Sequence, residues 1–422
     1  MALLTAKRLM LWGAGLCGLS WFIHLHTMMT PGLVDRVGRL KGSDYVQFYV
    51  MGSLVHEGRA DALYDPHAHL IEGQRTIHPK LELYAAHPNY GPQVALAFLP
   101  LALLPYGWSL AVFLTLSMVC YAIAVWIVWR DCDALRGHGR LVAVLAAGSP
   151  LLLNVVRYGQ ASVVALIALA LALAAFRRER LFLAGFAIGC LAYKPQLGVL
   201  FAIVLVAARQ WRVVTGAATA VAAQLAVGWA VAGSETMMRY AAELWLLARD
   251  PRLIARHASE LHSVRGFVTL LVPHPAIVTA CSVIALVAAI ALAVRTWLSP
   301  APLAVRFGVL IVLTILGSPH LISYDLLLLT LPLLLFADWA VRSADHRFRG
   351  PVCASLVLLY FAPFSGMIVA RLTGVQVSVI VMTMLTWWMY QVSTASRTIV
   401  APRWDAVSSQ NSTTPGWRSS VA

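Results

Sequence analysis

Ionisable side chains occur at breaks between the apolar segments of this chain, where acid–base chemistry or phosphate binding is possible. A carboxylate such as that of Asp44 accepts a proton from an attacking hydroxyl group, a role worth roughly 10²- to 10⁴-fold in rate. Because Asp44 precedes an apolar stretch, it also suits a helix N-cap, and both roles stay open. Lys194 precedes Pro195 within a long apolar stretch, so it is either a phosphate ligand or a lysine that extends to the membrane surface.

Other residues near such breaks are candidates for substrate binding. His320 is either a phosphate ligand or a hydrogen-bonded structural histidine, and Asp325 is either a second acid of the site or the partner of a nearby cation. Arg157 and Arg265 suit bidentate phosphate contacts or anchoring at the membrane surface. The remaining candidates are Gln160, Tyr90 and Tyr324. Since no residues have metal-ligand spacing, the sequence predicts no metal site and no cofactor.

The chain that carries these residues is far more apolar than a soluble protein. Of its 422 residues, 60% are hydrophobic and 12% are charged, against roughly 25% charged in an average soluble domain. Apolar runs recur from Leu9 to Gln391, and a helix needs about 20 such residues to cross a bilayer core. The sequence therefore predicts an all-α polytopic membrane protein. Its net charge of +14 is expected to set membrane topology rather than to bind nucleic acid.

The pattern of apolar segments predicts about 12 spans, provided that segment 93–104 is re-entrant or lies at the surface. More than half of the 32 Lys and Arg residues then share the side of the N-terminus. By the positive-inside rule, that side is cytoplasmic. We therefore predict a plasma (inner) membrane protein with both termini inside and with Asp44, Lys194 and His320 on the outer, extracytoplasmic face.

The domain organisation follows from the same pattern. We predict one transmembrane domain over residues 1–396 and a flexible cytoplasmic tail over 397–422, where Ser and Thr are frequent. Two long outer loops, 31–92 and 233–264, are expected to contain amphipathic helices. One such helix is predicted from Asp44 to Gly58, on the membrane surface or against the bundle, with Gly58 at its end. A second is predicted over 240–248.

Several short motifs occur in an order that resembles glycosyltransferase family 87. They are Asp44 with Tyr49, Gly58 and Tyr64; Tyr90, Gly91 and Pro92 leading into segment 98–105; Gly159 and Gln160; Lys194, Pro195 and Gln196; and Ser318, Pro319 and His320 ahead of Tyr324 and Asp325. Together they cover about residues 40–335. One position departs from the pattern, because Ser162 stands where an asparagine is expected.

The resemblance implies a C-type glycosyltransferase-like helical bundle that uses a polyprenyl-phosphate sugar as donor, with Asp44 as the general base. The reaction would be an inverting transfer of a sugar, mannose by family likeness, to a hydroxyl of a lipid-linked or extracytoplasmic glycan. Lys194, His320 and either Arg157 or Arg265 would stabilise the departing phosphate. The expected partners are the donor, the acceptor and membrane lipids, without nucleic acid.

The alternative function is a secondary transporter or flippase for a lipid-linked sugar. The break at Lys194 and Pro195 within an apolar stretch is typical of transporter helices. Against this alternative, the sequence has no detectable inverted repeat, and the long outer segment 31–92 is more typical of an enzyme.

Overall fold

The computed structural model of the protein describes residues 5–82, 89–249, 257–272 and 274–399. These residues form a helical bundle, and the only strand-like pairings among them are two isolated bridges, Val34 with Leu40 and Leu261 with Ile322. The α-helices, in chain order, are α1 (Ala6–Met28), α2 (Tyr45–His56), α3 (Pro66–Thr76), α4 (Pro92–Ala102), α5 (Tyr106–Trp129), α6 (Gly139–Ala147), α7 (Pro150–Tyr158), α8 (Ser162–Arg177), α9 (Leu181–Gly189), α10 (Val199–Ala207), α11 (Trp211–Arg249), α12 (Val264–Leu271), α13 (Pro275–Trp297), α14 (Leu303–Gly317), α15 (Thr330–Arg342), α16 (His346–Tyr360), α17 (Ala362–Thr373) and α18 (Val377–Ile399). Short 3-10 helices lie at Cys190–Tyr193, Pro195–Leu197 and Ser323–Leu329, next to the residues that the sequence singles out.

Many of these helices are long and apolar enough to cross a bilayer. In the described part of the chain there are six such spans: Ala6–Met28, Tyr106–Trp129, Arg136–Tyr158, Trp211–Leu247, Pro275–Trp297 and Ser323–Arg342. The bent pair Gly366–Thr373 and Val377–Thr394 adds a seventh if it forms one span. The protein is therefore an all-α integral membrane protein. The figure of about 12 spans stays a prediction, since it needs shorter apolar helices such as α8, α10 and α14 to cross as well.

The first predicted loop helix, α2, lies against the bundle and is not a surface helix. Every residue from Tyr45 to Leu54 is buried, as expected for a helix that is apolar on all sides. Its closest neighbour is α4, because a Cβ atom on Gly52 would lie 2.8 Å from the carbonyl carbon of Phe98. Gly58, with φ +72°, follows the end of the helix at the predicted position.

The second predicted loop helix, 240–248, forms the last part of α11. That helix bends at Gly233, whose φ of 72° and ψ of 177° fall in a region that essentially only glycine adopts. The basic residues that follow position 249 lie outside the described residues, as does the predicted tail from position 400 onward. The final helix, α18, continues to Ile399, three residues into the segment predicted as tail.

Polar contacts to other parts of the chain occur at both ends of α8. At one end of α8, Ser162 contacts residues from other helix connections, whereas Arg177 at the other end pairs with Asp131 at 3.0 Å. On the side of Arg177, the Asp338 carboxylate accepts a hydrogen bond of 2.8 Å from the Ala134 backbone N–H. The bundle therefore keeps the Ser162 end and the Arg177 end of α8 apart, as a membrane-crossing arrangement requires.

This separation predicts opposite accessibility for two exposed histidines, His67 in α3 and His138 near the start of α6. We expect a membrane-impermeant thiol reagent to modify His67→Cys in intact cells, and to modify His138→Cys only after permeabilisation. The unsubstituted protein measures the background from the six native cysteines. The reverse labelling pattern would contradict the predicted orientation.

Candidate active site

Asp44 lies just before α2, but its carboxylate is directed toward another part of the chain. Among the described residues, it makes no hydrogen bond to the first turn of that helix. Instead, Oδ2 accepts a hydrogen bond of 2.9 Å from the Gln160 side-chain amide, and Oδ1 accepts one of 3.2 Å from the Ser43 hydroxyl. Burial raises the pKa of Asp44, although these hydrogen bonds oppose the shift. A carboxylate with a raised pKa is a better proton acceptor than an ordinary aspartate.

A tight contact between the end of α7 and the start of α2 positions Gln160. α7 ends at Gly159, whose φ of +69° is a left-handed conformation that favours glycine. A Cβ atom at Gly159 would lie only 2.8 Å from the Tyr45 Cβ, so no larger residue fits there. The Asp44 backbone N–H also donates to the Tyr158 carbonyl at 2.9 Å. The next residue, Gln160, is thereby held beside Asp44.

Gln160 also connects Asp44 with Tyr90. The Tyr90 hydroxyl donates to Gln160 Oε1 at 3.1 Å, while the nitrogen of the same amide donates to Asp44. Tyr90 itself is fixed by the Tyr64 hydroxyl, which donates to its carbonyl at 2.6 Å. The amide of Gln160 therefore joins the loop before α4 to the residue before α2.

Lys194 lies in a helix break between α9 and α10. Pro195 has no N–H group, so it cannot continue the hydrogen-bond pattern of α9, and the chain passes through two short 3-10 helices there. The Lys194 side chain is 5% exposed, and its Nζ lies 2.6 Å from Oδ1 of Asp325, whose side chain is 4% exposed. Lys194 is therefore buried inside the protein rather than extended to the membrane surface, and Asp325 is its ionic partner.

The surroundings of this ion pair are aromatic and polar. The Ser162 hydroxyl donates to the same Asp325 oxygen at 2.5 Å. The Lys194 Nζ lies 4.9 Å from the ring centroid of Tyr324 and 5.8 Å from that of Tyr90, both within the range of cation–π attraction. Both tyrosines named as substrate-binding candidates therefore contact the same cation.

A cavity of about 40 Å³ connects the ion pair with His320. Its lining also includes Gln47, Asn89, Tyr90, Tyr193, Pro195, Gln196, Leu244, Leu247 and Tyr324. Burial lowers the pKa of His320 to about 4, so its ring is neutral near pH 7. Within the described part of the chain, its buried Nδ1 has no hydrogen-bond partner. A neutral imidazole with an available ring nitrogen suits a hydrogen bond to a ligand oxygen.

The two candidate arginines lie outside the lining of this cavity. Arg157, at the end of α7, is exposed, and its guanidinium lies 5.9 Å from the ring centroid of Tyr158. Arg265, in the first turn of α12, is half-buried, and burial lowers its pKa. The structure thus brings together seven of the nine candidates, namely Asp44, Tyr90, Gln160, Lys194, His320, Tyr324 and Asp325.

Sequence reasoning overlooked some members of this site. Ser162 attracted attention only as a departure from the family pattern, yet its hydroxyl contacts Asp325. Gln47, one turn after Asp44, donates to the Asp44 carbonyl at 3.3 Å and lines the cavity. Gln47 lies three residues after Asp44, and residues at this spacing on a helix are neighbours, so the sequence could have indicated it. In the described residues, no three His, Cys, Asp or Glu side chains form a group that could hold a metal ion.

The apolar helices and the buried acid–cation site define an integral membrane protein with a polar site at one end of its bundle. A family model described as glycosyltransferase family 87 matches residues 89–319, more than half of the chain. The chain therefore belongs to glycosyltransferase family 87, and it is a membrane glycosyltransferase. The matched region includes Tyr90, Gln160 and Lys194, whereas Asp44 precedes it and Asp325 follows it. No curated protein and no solved structure matches the chain.

Because a Cβ at Gly159 would meet Tyr45, we predict that Gly159→Ala disrupts the contact that positions Gln160. The left-handed backbone costs alanine about 1–2 kcal/mol, and the overpacked contact adds about 1–3 kcal/mol. Gly58→Ala is the matched control, since Gly58 has φ +72° and no atom lies within 4 Å of the position that a Cβ would take there. Thermal unfolding in detergent should show a clearly larger loss for Gly159→Ala. Equal losses would mean that the contact contributes nothing.

Proposed function

We propose that this enzyme transfers a sugar from a polyprenyl-phosphate donor to a hydroxyl of a lipid-linked or extracytoplasmic glycan, with inversion at the anomeric carbon. The observation that carries the proposal is the hydrogen-bonded path from Asp44 through Gln160 to Tyr90. The Tyr90 ring in turn lies beside the Lys194 ammonium. These contacts support a pairing of Asp44 as proton acceptor with Lys194 as phosphate ligand, which a displacement at a sugar phosphate requires.

Asp44 acts as the general base in this proposal. The acceptor hydroxyl gives its proton to the Asp44 carboxylate while its oxygen attacks the anomeric carbon. The bond between that carbon and the phosphate oxygen breaks, and its electron pair leaves with the polyprenyl phosphate. A single displacement inverts the configuration. The raised pKa of Asp44 supports this role, because the carboxylate gains more by accepting the proton.

Lys194 and His320 stabilise the leaving phosphate. Charge develops on that group during bond cleavage, and fixed donors in a site with little water stabilise such charge strongly. The ammonium of Lys194 and the ring of His320 line one cavity, which supports their acting on one phosphate. Arg157 or Arg265 would contribute only if the donor extends beyond that cavity.

The proposals for the donor sugar and for the membrane side of the site are supported by other observations. Mannose and the polyprenyl carrier follow from family likeness. An extracytoplasmic position of the site is supported by the predicted excess of Lys and Arg on the opposite side and by the positive-inside rule. The plasma (inner) membrane is the corresponding location.

Asp44→Asn should abolish transfer while the protein stays folded, because the amide keeps the size of the side chain but cannot accept the proton. We expect turnover to fall on the order of 10²-fold or more, measured with radiolabelled polyprenyl-phosphate mannose. Asp65→Asn is the matched control, since Asp65 caps α3 through the His67 N–H at 2.8 Å and asparagine caps about as well. Turnover of Asp44→Asn within about threefold of the parent would exclude Asp44 as the base.

Lys194→Gln should weaken use of the donor more than use of the acceptor, since the ammonium is assigned to the donor phosphate. Glutamine can still donate to Asp325, which limits the destabilisation expected when one partner of a buried ion pair is removed. We expect the donor KM to rise about tenfold or more, equal to about 1.4 kcal/mol, with little change in the acceptor KM. Lys80→Gln, at an exposed lysine, is the control. An unchanged donor KM would assign Lys194 a structural role only.

A further inference from the structure

The cation assigned to the donor phosphate already has an anionic partner. Oδ1 of Asp325 lies 2.6 Å from the Lys194 Nζ and also accepts the Ser162 hydroxyl at 2.5 Å. Both charged side chains are about 95% buried. Any phosphate that reaches Lys194 must therefore share the ammonium with Asp325 or displace it.

The other described groups around the cavity do not offset the negative charge of Asp325. Among the described residues of its lining, Lys194 is the one permanent cation and Asp325 the one carboxylate. His320 does not compensate, because burial keeps its pKa at about 4 and leaves the ring neutral near pH 7. A phosphate bound at Lys194 thus meets one positive and one negative charge in surroundings with little solvent screening.

The repulsion from Asp325 depends on the charge of the phosphate. In a polyprenyl-phosphate sugar, the phosphate is a diester and carries one negative charge. After transfer, the product is a monoester, which carries about −1.5 to −2 charges at pH 7. Since repulsion grows in proportion to that charge, a fixed carboxylate at this position opposes the product more than the donor.

We propose that Asp325 is a specificity-determining residue that weakens binding of the phosphomonoester product relative to the phosphodiester donor, and so promotes release of polyprenyl phosphate. This role rests on the proposed function, because it requires a lipid phosphate at Lys194. Asp325 forms no bond to the reacting atoms, since it acts through the repulsion between its carboxylate and a phosphate held at Lys194.

A second buried carboxylate provides a matched comparison. Asp338 is 3% exposed like Asp325, and it pairs with Arg342 at 2.5 Å and with the Ala134 N–H at 2.8 Å. It lies at the opposite end of the bundle, next to the Arg177 end of α8. Asp338→Asn therefore removes a buried, paired carboxylate, whose partner Arg342 is 51% exposed, without altering the cavity at Lys194.

The test compares two probes that differ in one ionisable oxygen, farnesyl phosphate and methyl farnesyl phosphate. Their dissociation constants are measured for the full-length protein in detergent at pH 7.5. In Asp325→Asn, we expect the dissociation constant of the monoester divided by that of the diester to fall about fivefold or more. In Asp338→Asn the ratio should stay within about twofold of the parent. An unchanged ratio in Asp325→Asn would overturn the proposal.

Asp325→Glu keeps the charge and serves as the second variant. Its ratio should stay within about twofold of the parent, and a shift of about fivefold with the charge retained would overturn the proposal even if Asp325→Asn does not fold. The Lys194→Gln variant tests the donor site itself and so distinguishes its failure from failure of the role of Asp325. If Lys194→Gln binds both probes like the parent, the assignment of Lys194 to the donor phosphate and this inference both fail. If it weakens both probes while Asp325→Asn leaves their ratio unchanged, only the role of Asp325 fails.

Discussion

The ion pair between Lys194 and Asp325 is the contact on which the rest of the site depends. A single buried charge in an apolar bundle is strongly destabilising, whereas a close pair with further hydrogen bonds is tolerated. The pair joins the break between α9 and α10 to the start of the Ser323–Leu329 segment, and Ser162 adds the start of α8. Three helix connections that are distant in sequence are thereby held at one point.

Asp44 is connected to the Lys194–Asp325 pair through the neutral side chains of Gln160 and Tyr90. Gln160 bonds both Asp44 and Tyr90, so Asp44, the proposed base, lies near Lys194 without a direct salt bridge to it. The positive charge of Lys194 lowers the pKa of Asp44, but burial has the larger effect and the pKa is raised. This separation is chemically useful, because a carboxylate in a direct salt bridge would be a weaker proton acceptor. Helix ends and hydrogen bonds thus bring Asp44 and the ion pair together in one site.

Much of this arrangement was predictable from the sequence, because ionisable residues within apolar segments are costly and mark functional sites. The membrane class was predicted correctly from the apolar composition, and the glycosyltransferase family from motif order. The partner of Lys194 was not, since Asp325 lies 131 positions away and only tertiary structure brings the two together. The sequence left α2 either on the membrane surface or against the bundle, because its fit against α4 depends on the close approach at Gly52. Because helices such as α9 and α10 are shorter than a bilayer span, the number of spans cannot be counted from apolar runs alone.

We propose that the polar site uses a lipid-linked donor to make a glycosidic bond. To test this, purified protein is incubated with the same radiolabelled sugar on one of two carriers, a polyprenyl phosphate or a nucleoside diphosphate. A membrane lipid extract supplies the acceptor. We expect labelled glycolipid or glycan only from the polyprenyl-phosphate carrier, with the anomeric configuration inverted. Product formed from the nucleotide carrier alone, or label that crosses reconstituted vesicles without entering a glycosidic bond, would contradict it.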